Sequence, residues 1–286
     1  MIFITDSGST KCDWIGVDDH GKQLFEKERT KGLNPAILNP DELLLRIQES
    51  DVLRQHREKV AKIYFYGAGC GTDRPKMALQ KVLKKYFINA EVIVAEDTLA
   101  AVYATVENHE PAVVCIMGTG SNCTYYDGQK TRQDINSLGY ILMDDASGNY
   151  YGKQLIRDYY YKKMPENLRV SFKEKYNLDT DYIKHKIYKE ANPNVYLASF
   201  AEFMFLNKDS SYITDLIKSG FRIFAKNMIY QFKEEIKRVP VHFAGSIAFL
   251  SQDEIREVAD EMGFKVGNFV KRPIEGLVDY HTQKLS

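Results

Sequence analysis

The chain has 286 residues, 39 basic and 39 acidic side chains and therefore no formal net charge. A neutral balance gives no electrostatic footprint for nucleic acid, and no apolar run reaches the ~18–20 residues that span a bilayer. With 44% apolar residues, 27% charged residues and no low-complexity tract, the composition is globular and long enough for two domains, each with its own core.

"MIFITD" reads as a buried strand with no charged-then-apolar leader before it. A "SGST" turn, a strand "KCDWIGVD", a turn at "DHGK" and a third strand "QLFEKERT" complete an antiparallel meander. Apolar spacing after Asp41 predicts one helix from about 40 to 56. Strand "VAKIYFYGAG", helix "DRPKMALQKVLKKYF", strand "AEVIVAED" and helix "TLAAVYATVE" follow, an α/β pattern with helices over a mixed sheet.

At Pro111 the pattern restarts. Strand "AVVCIMG", turn "TGSN" and strand "CTYYDG" repeat the opening, and placing Gly8-Ser9 on Gly120-Ser121 aligns strand, turn and strand, so an internal duplication is expected. From about 146 to 236 the chain reads as helical. "YYGKQLIRDYYYKK" predicts an amphipathic helix with a half-buried Tyr face, and "YITDLIKSGFRIFAKNMIYQFKEEI" one long helix. Strand "VHFAG", a Ser-initiated helix, helix "DEIREVADEM", strand "FKVGNF" and a Pro-started helix close the chain.

Cys12, Cys70, Cys115 and Cys123 form no CxxC pair or zinc-like cluster and read as reduced thiols, which points to the cytoplasm. The glycine turns can present backbone N–H groups to an anion such as a phosphate chain, since no Cβ blocks approach; plain hairpin turns are the competing reading. Neither turn is a P-loop, because each leads into a strand and no GxxxxGK[ST] occurs. Asp6, before the first turn, makes sense beside phosphates if Mg²⁺ stands between them. Asp97, after a sheet strand, fits either a base for an attacking hydroxyl or a helix N-cap. Asp144 and Asp145 could bind hydroxyls or cap a helix, and Gly245-Ser246 stands at a strand-to-helix junction where a planar ring could approach.

Together "DSGSTK", "AEDTLAA", "MGTGSNC", "LGYILMDDASG" and "FAGSIAFL" resemble the N-acetylglucosamine kinases, over essentially the whole chain and in the right order. That family is grouped with the BadF/BadG/BcrA/BcrD-type activator ATPases in the actin-like superfamily. The resemblance implies an α/β fold of two ribonuclease-H-like domains with an interdomain cleft, residues 1–108 joined by a helix at 273–286, and residues 109–272 with a helical insertion. It implies ATP and Mg²⁺ as cofactors, an amino sugar as substrate, phosphorylated at its 6-hydroxyl, and no nucleic-acid or membrane partner; a homodimer stays open. By motif position, Asp97 is the catalytic base and Asp6 lies near the metal. Ser7, Gly8, Ser9, Thr10 and Lys11 match the first phosphate loop, Gly118, Thr119 and Gly120 the second, and Gly245 and Ser246 the adenosine loop. Asn34, Asp97, Ser121, Asn122 and Asp144 match sugar-side positions.

Ser137, Leu138, Met143 and Ala146 stand where family members usually carry glycines and often a Trp, which leaves glucosamine, N-acetylglucosamine and N-acetylmuramic acid open. The alternative function is an ATPase that switches a partner enzyme. Those activators need a cluster-ligating cysteine well beyond the second phosphate loop, and no cysteine follows Cys123.

Overall fold

The computed structural model describes residues 1–283. The final helix was expected to extend to 286, and residues 284–286 lie outside the described residues. The chain divides into two compact units, 1–108 with 272–286, and 109–271. No described helix is long and apolar enough to cross a membrane.

In the first unit, strands β1 (Ile2–Ser7), β2 (Lys11–Val17) and β3 (Glu28–Lys31) form the antiparallel meander. The third strand is shorter than its apolar pattern predicts; only Gln23 of the earlier segment makes a bridge, to Val17. Where one helix was expected over 40–56 there are two, α1 (Pro40–Gln48) and α2 (Asp51–His56). Asn39 and Glu42 cap each other's backbone at the start of α1. Ser50 then breaks the run: its hydroxyl accepts from Leu53 N–H and donates to Glu28, which starts a new helix. Next come β4 (Lys62–Gly67), α3 (Asp73–Tyr86), β5 (Glu91–Glu96) and α4 (Asp97–Thr105). The sheet order is β3-β2-β1-β4-β5, with β1, β4 and β5 parallel, so their carboxyl ends share one edge.

Alternation along β1 decides which layer each residue joins. Phe3 enters a core with Trp14, Phe65 and Phe87 under α1 to α3, whereas Ile2 and Ile4 enter one closed by Ala100 of α4 and by Ile274 and Leu277 from the chain's end. Trp14 is fully buried with its indole N–H on Thr30 Oγ1 at 3.1 Å, so its burial of about 2–3 kcal/mol carries no polar penalty.

The second unit holds β6 (Ala112–Met117), β7 (Ser121–Tyr126) and β8 (Thr131–Arg132), then α5 (Gly148–Tyr160), α6 (Glu166–Lys175), α7 (Thr180–Tyr188), α8 (Pro193–Ser199) and α9 (Glu202–Leu206). The long helix expected over 212–236 stops early: α10 spans Ser211–Asn227, and a tighter 3₁₀ turn, Ile229–Phe232, continues the apolar pattern. β9 (Val241–Ala244), α11 (Ser246–Leu250), α12 (Gln252–Met262) and β10 (Val266–Val270) finish this unit. α13 (Pro273–Thr282) returns to the first unit, where His281 stacks on Tyr64 and meets the Tyr66 hydroxyl at 2.8 Å.

The second sheet runs β10-β9-β6-β7-β8, with β6 antiparallel to β7 and parallel to β9. Replacing β6 to β10 by β1 to β5 reproduces the first order, so one strand plan is used twice and the two glycine turns close equivalent hairpins.

Candidate functional site

The first hairpin turns at Gly8, Ser9 and Thr10, closed by Gly8 N–H to Lys11 C=O at 2.9 Å. Ser7 is buried beneath it: its hydroxyl accepts from Leu33 N–H at 2.9 Å and donates to Gly8 C=O. Gly32 donates to Thr10 C=O at 3.0 Å, and any side chain on Gly32 would collide with the backbone of Gly8 and Ser9. Asn34 sits against the same tip. Its Oδ1 accepts from Ala36 N–H, and its Nδ2 donates to Ser9 Oγ at 3.2 Å, so it braces the turn. Lys11 opens β2 on the exposed side.

Asp6 lies one pleat beyond Ile4, directly opposite Asp13 across the β1–β2 ladder. Arg29 forks onto both Asp13 oxygens at 2.6 and 3.2 Å and neutralises it. No ion pair does the same for Asp6 among the described residues. Burial first, then the charge of Asp97, push the Asp6 carboxyl up to about 7. Asp97 begins α4 at the edge where β1, β4 and β5 end. The N-cap position belongs to Glu96, whose side chain makes no capping hydrogen bond, and Asp97 is the first residue of the helix, not the cap weighed for it from sequence. Among the described residues no three His, Cys, Asp or Glu side chains form a ready-made metal cage.

The second hairpin turns at Gly118, Thr119 and Gly120, closed by Gly118 N–H to Gly120 C=O at 2.9 Å. The start of α5 fixes its orientation. Gly148 N–H donates to Gly118 C=O at 2.8 Å, and the backbone and side chain of Asn149 both donate to Thr119 C=O, at 3.1 and 2.7 Å. In a planar trans peptide the N–H points opposite to the C=O. With both carbonyls turned to α5, the Thr119 and Gly120 amides face away from it, as donors to an anion would.

Asp144 buttresses this tip. Its Oδ1 accepts from Ser121 N–H at 3.2 Å and its Oδ2 from Asn149 Nδ2 at 2.9 Å. A Cβ on Gly120 would come within 2.8 Å of that carboxylate, so the turn needs glycine for close approach. Burial raises the Asp144 pKa, against the two hydrogen bonds. Neither Asp144 nor Asp145 caps α5; Ser147 does, accepting from Tyr150 N–H. The Ser121 hydroxyl donates to Asp145 C=O at 2.7 Å. Asn122 uses its Oδ1 on Cys123 N–H.

Gly245 adopts φ +109° and packs so tightly on Met117 and Gly118 that a Cβ could not fit. It brings Ser246, the first residue of α11, beside the second glycine tip. The structure therefore gathers Gly118, Thr119, Gly120, Ser121, Asp144, Gly245 and Ser246 in one unit, and Asp6, Ser7 to Lys11, Asn34 and Asp97 in the other. Asn149 is the residue that sequence reasoning missed. It is fully buried, ties the glycine tip to Asp144, and leaves its own Oδ1 without a partner.

No protein-family model matches the chain, and no curated protein matches it. Solved structures do. The "putative N-acetylglucosamine kinase" of Porphyromonas gingivalis is 32% identical over 100% of both chains, with a TM-score of 0.90. A second structure so described, from Chromobacterium violaceum, is 13% identical over 98% of both chains at TM-score 0.73. A ROK family glucokinase from Streptomyces griseus, crystallised with glucose and AMPPNP, is 13% identical at TM-score 0.58, over 97% of this chain and 98% of its own. The latter two share the fold.

Proposed function

The chain belongs to the N-acetylglucosamine kinase family, and from that premise we propose that it transfers the γ-phosphoryl group of ATP to the 6-hydroxyl of an amino sugar. The observation that carries this reading is the pair of glycine-tipped hairpins at equivalent places of a twice-used strand plan, each tip held from behind by its own unit. Each unit is read as a ribonuclease-H-like half of an actin-like ATPase. The four free thiols suit a reducing compartment, the cytoplasm.

Gly8 to Thr10 and Gly118 to Gly120 hold phosphate oxygens through backbone N–H and hydroxyl donors, with Lys11 adding positive charge. Gly245 and Ser246 admit the adenosine. By their place in the family's motifs, Asn34 in the first unit and Ser121, Asn122 and Asp144 in the second are assigned to the sugar, and Asp97 to accepting the proton of the attacking hydroxyl. Phosphoryl transfer with a loose transition state needs little nucleophile activation, so positioning by Asp97 and late proton removal suffice. The desolvated Asp6, beside Asp97 and short of a cation, fits a divalent ion held through one or two carboxylates and phosphate oxygens. Mg²⁺ bound there would neutralise charge developing on the phosphates.

The test is ADP release from Mg-ATP by the purified protein across amino sugars and plain hexoses. Sugar-dependent release is expected; release independent of sugar, or none, would overturn the reading. Asp97→Asn should lower kcat by about 10²–10⁴-fold while calorimetry still registers ATP and sugar binding, and near-native turnover would remove Asp97 from its role as base.

A further inference from the structure

The hairpin that carries the second glycine tip also carries two thiols. Cys115 of β6 and Cys123 of β7 are direct cross-strand partners, and their sulfurs stand 3.5 Å apart, with the Cys115 S–H donating to Cys123 Sγ. The register explains the contact. Ser121 N–H goes to the Asp144 carboxylate and Cys123 N–H to Asn122 Oδ1, so alternate amides of β7 point away from β6. Cys115 and Cys123 therefore form a non-hydrogen-bonded pair, the kind in which antiparallel strands bring Cα atoms to ~4.5 Å and side chains closest. That spacing lies inside the ~4.4–6.8 Å range that a disulfide spans, and the sulfurs need to approach by only roughly 1.5 Å to bond.

The proposed phosphoryl transfer uses neither thiol. Both are buried in the core beneath the tip, Cys123 at 2% exposure, and burial holds the Cys115 thiol well above its ordinary pKa. A reagent that reaches them must be small and neutral. No strand among the described residues pairs with the outer edge of Ser121 to Thr124, because β8 meets β7 only at Tyr125 and Tyr126. Local opening of that edge is the route in.

We propose that Cys115 and Cys123 are an oxidation site, at which a hydroperoxide closes a cross-strand disulfide that draws β6 and β7 together beneath the second glycine tip and weakens its hold on an anion. With hydrogen peroxide the Cys123 sulfur attacks one oxygen and the O–O bond breaks; the thiol proton leaves with the departing hydroxide as water, and a sulfenic acid remains. The Cys115 sulfur then attacks that sulfur. The S–S bond forms, the S–O bond breaks, and the second thiol proton leaves with hydroxide as a second water. Two thiols thus lose two electrons, and the peroxide becomes two waters. The bond lies two residues from Met117 and Ser121, which flank Gly118 to Gly120. Bonds from Gly148 and Asn149 set that tip from behind, so a shift of the strands beneath it moves the Thr119 and Gly120 amides out of line. The effect on ATP rests on the kinase reading above; formation of the bond does not. A dithiol reverses the step by thiol–disulfide exchange, so the pair stays open in a reducing compartment and closes when peroxide outruns reduction.

Tryptic digestion assigns the bond. No Lys or Arg lies between Tyr86 and Gln129, so one peptide, 86–130, holds both thiols and no other cysteine. Purified, reduced protein treated with hydrogen peroxide should yield that peptide lighter by two hydrogens and closed to alkylation, and dithiothreitol should restore it. In the same sample kcat/KM for ATP should fall about 10–100-fold, the scale of loss when a site is displaced by ~1 Å, and recover with the reductant. Cys115→Ala, a small apolar replacement in the core, should keep its activity through the same treatment. A peptide that stays open to alkylation overturns the site, and that result needs no variant. A disulfide that leaves kcat/KM unchanged, or a loss that Cys115→Ala shares, overturns its action on the tip. If no sugar drives ADP release, the kinase reading fails on its own. Calorimetry with AMPPNP then supplies the readout: weaker binding by the oxidised wild type supports the site, and equal or absent binding overturns it.

Discussion

Asn149 shows how much of the candidate site depends on one amide. Its Nδ2 bridges Thr119 C=O and Asp144 Oδ2, so the tip that presents amides to phosphate and the carboxylate behind it move together. Replacing Asn149 by Ala removes donors from a carbonyl and a half-buried carboxylate, about 1.5–3 kcal/mol where the acceptor is charged. Expressed in the active state, kcat/KM for ATP should drop roughly 10–100-fold. Steady-state kinetics with ATP varied would check this; a wild-type value would show that the tip holds its shape without the clamp. Nothing in the sequence marked Asn149. It stands one residue ahead of the stretch read as an amphipathic helix, and its importance comes from a contact 30 residues back along the chain. Asp6, Asp97 and the two glycine turns were legible because Gly, Ser and Asp at strand ends are strong local signals. Their mutual placement was not, since register and burial are tertiary facts.

At the scale of elements, β10 meets β9 with a register shift between Val266 and Phe269, and His242 fills it. Its Nδ1 accepts Asn268 N–H at 2.8 Å, so the ring must be neutral at that nitrogen, and burial holds its pKa down at about 4 against an ordinary 6.5. The unfolded chain binds this proton below pH 6.5 and the folded chain only below about 4. The stabilisation is therefore complete above pH 6.5 and drains away as pH falls toward 4, by roughly 3 kcal/mol in all. Urea denaturation across that window should show the loss in the wild type and a flatter profile in His242→Asn; parallel profiles would mean that other groups carry the acid sensitivity. The helix errors have a common cause at this scale. Ser50 splits a helix by bonding to Glu28, and α10 ends at Asn227 although apolar spacing continues through Phe232. Periodicity records which face is buried, not whether the backbone keeps its i→i−4 bonds.

Across the whole molecule the two units differ in chain continuity. Residues 109–271 form an uninterrupted unit with one large core, whereas 1–108 needs a returning segment. A fragment of 109–271 should unfold cooperatively on its own, while 1–108 should require 273–283 to reach a sharp transition. Thermal melts of the fragments, with and without the segment fused, would measure the difference, and a sharp melt of 1–108 alone would show the returning helix to be dispensable. The duplication was visible in sequence at a single strand-turn-strand alignment; the shared strand order extends it to five strands.

That interrupted chain also sets an order of events during synthesis. Ile274 and Leu277, which close the face formed by Ile2, Ile4 and Ile15, leave the ribosome only after residues 109–271 have been made. At ~5–20 residues per second, that interval lasts roughly 10–30 s. For that time the first-made sheet carries an open apolar face while the later-made unit can already close its core. The nascent chain is thus exposed to aggregation at its oldest end, and a chaperone that shields this end until release would cover the face that Ile274 and Leu277 later close.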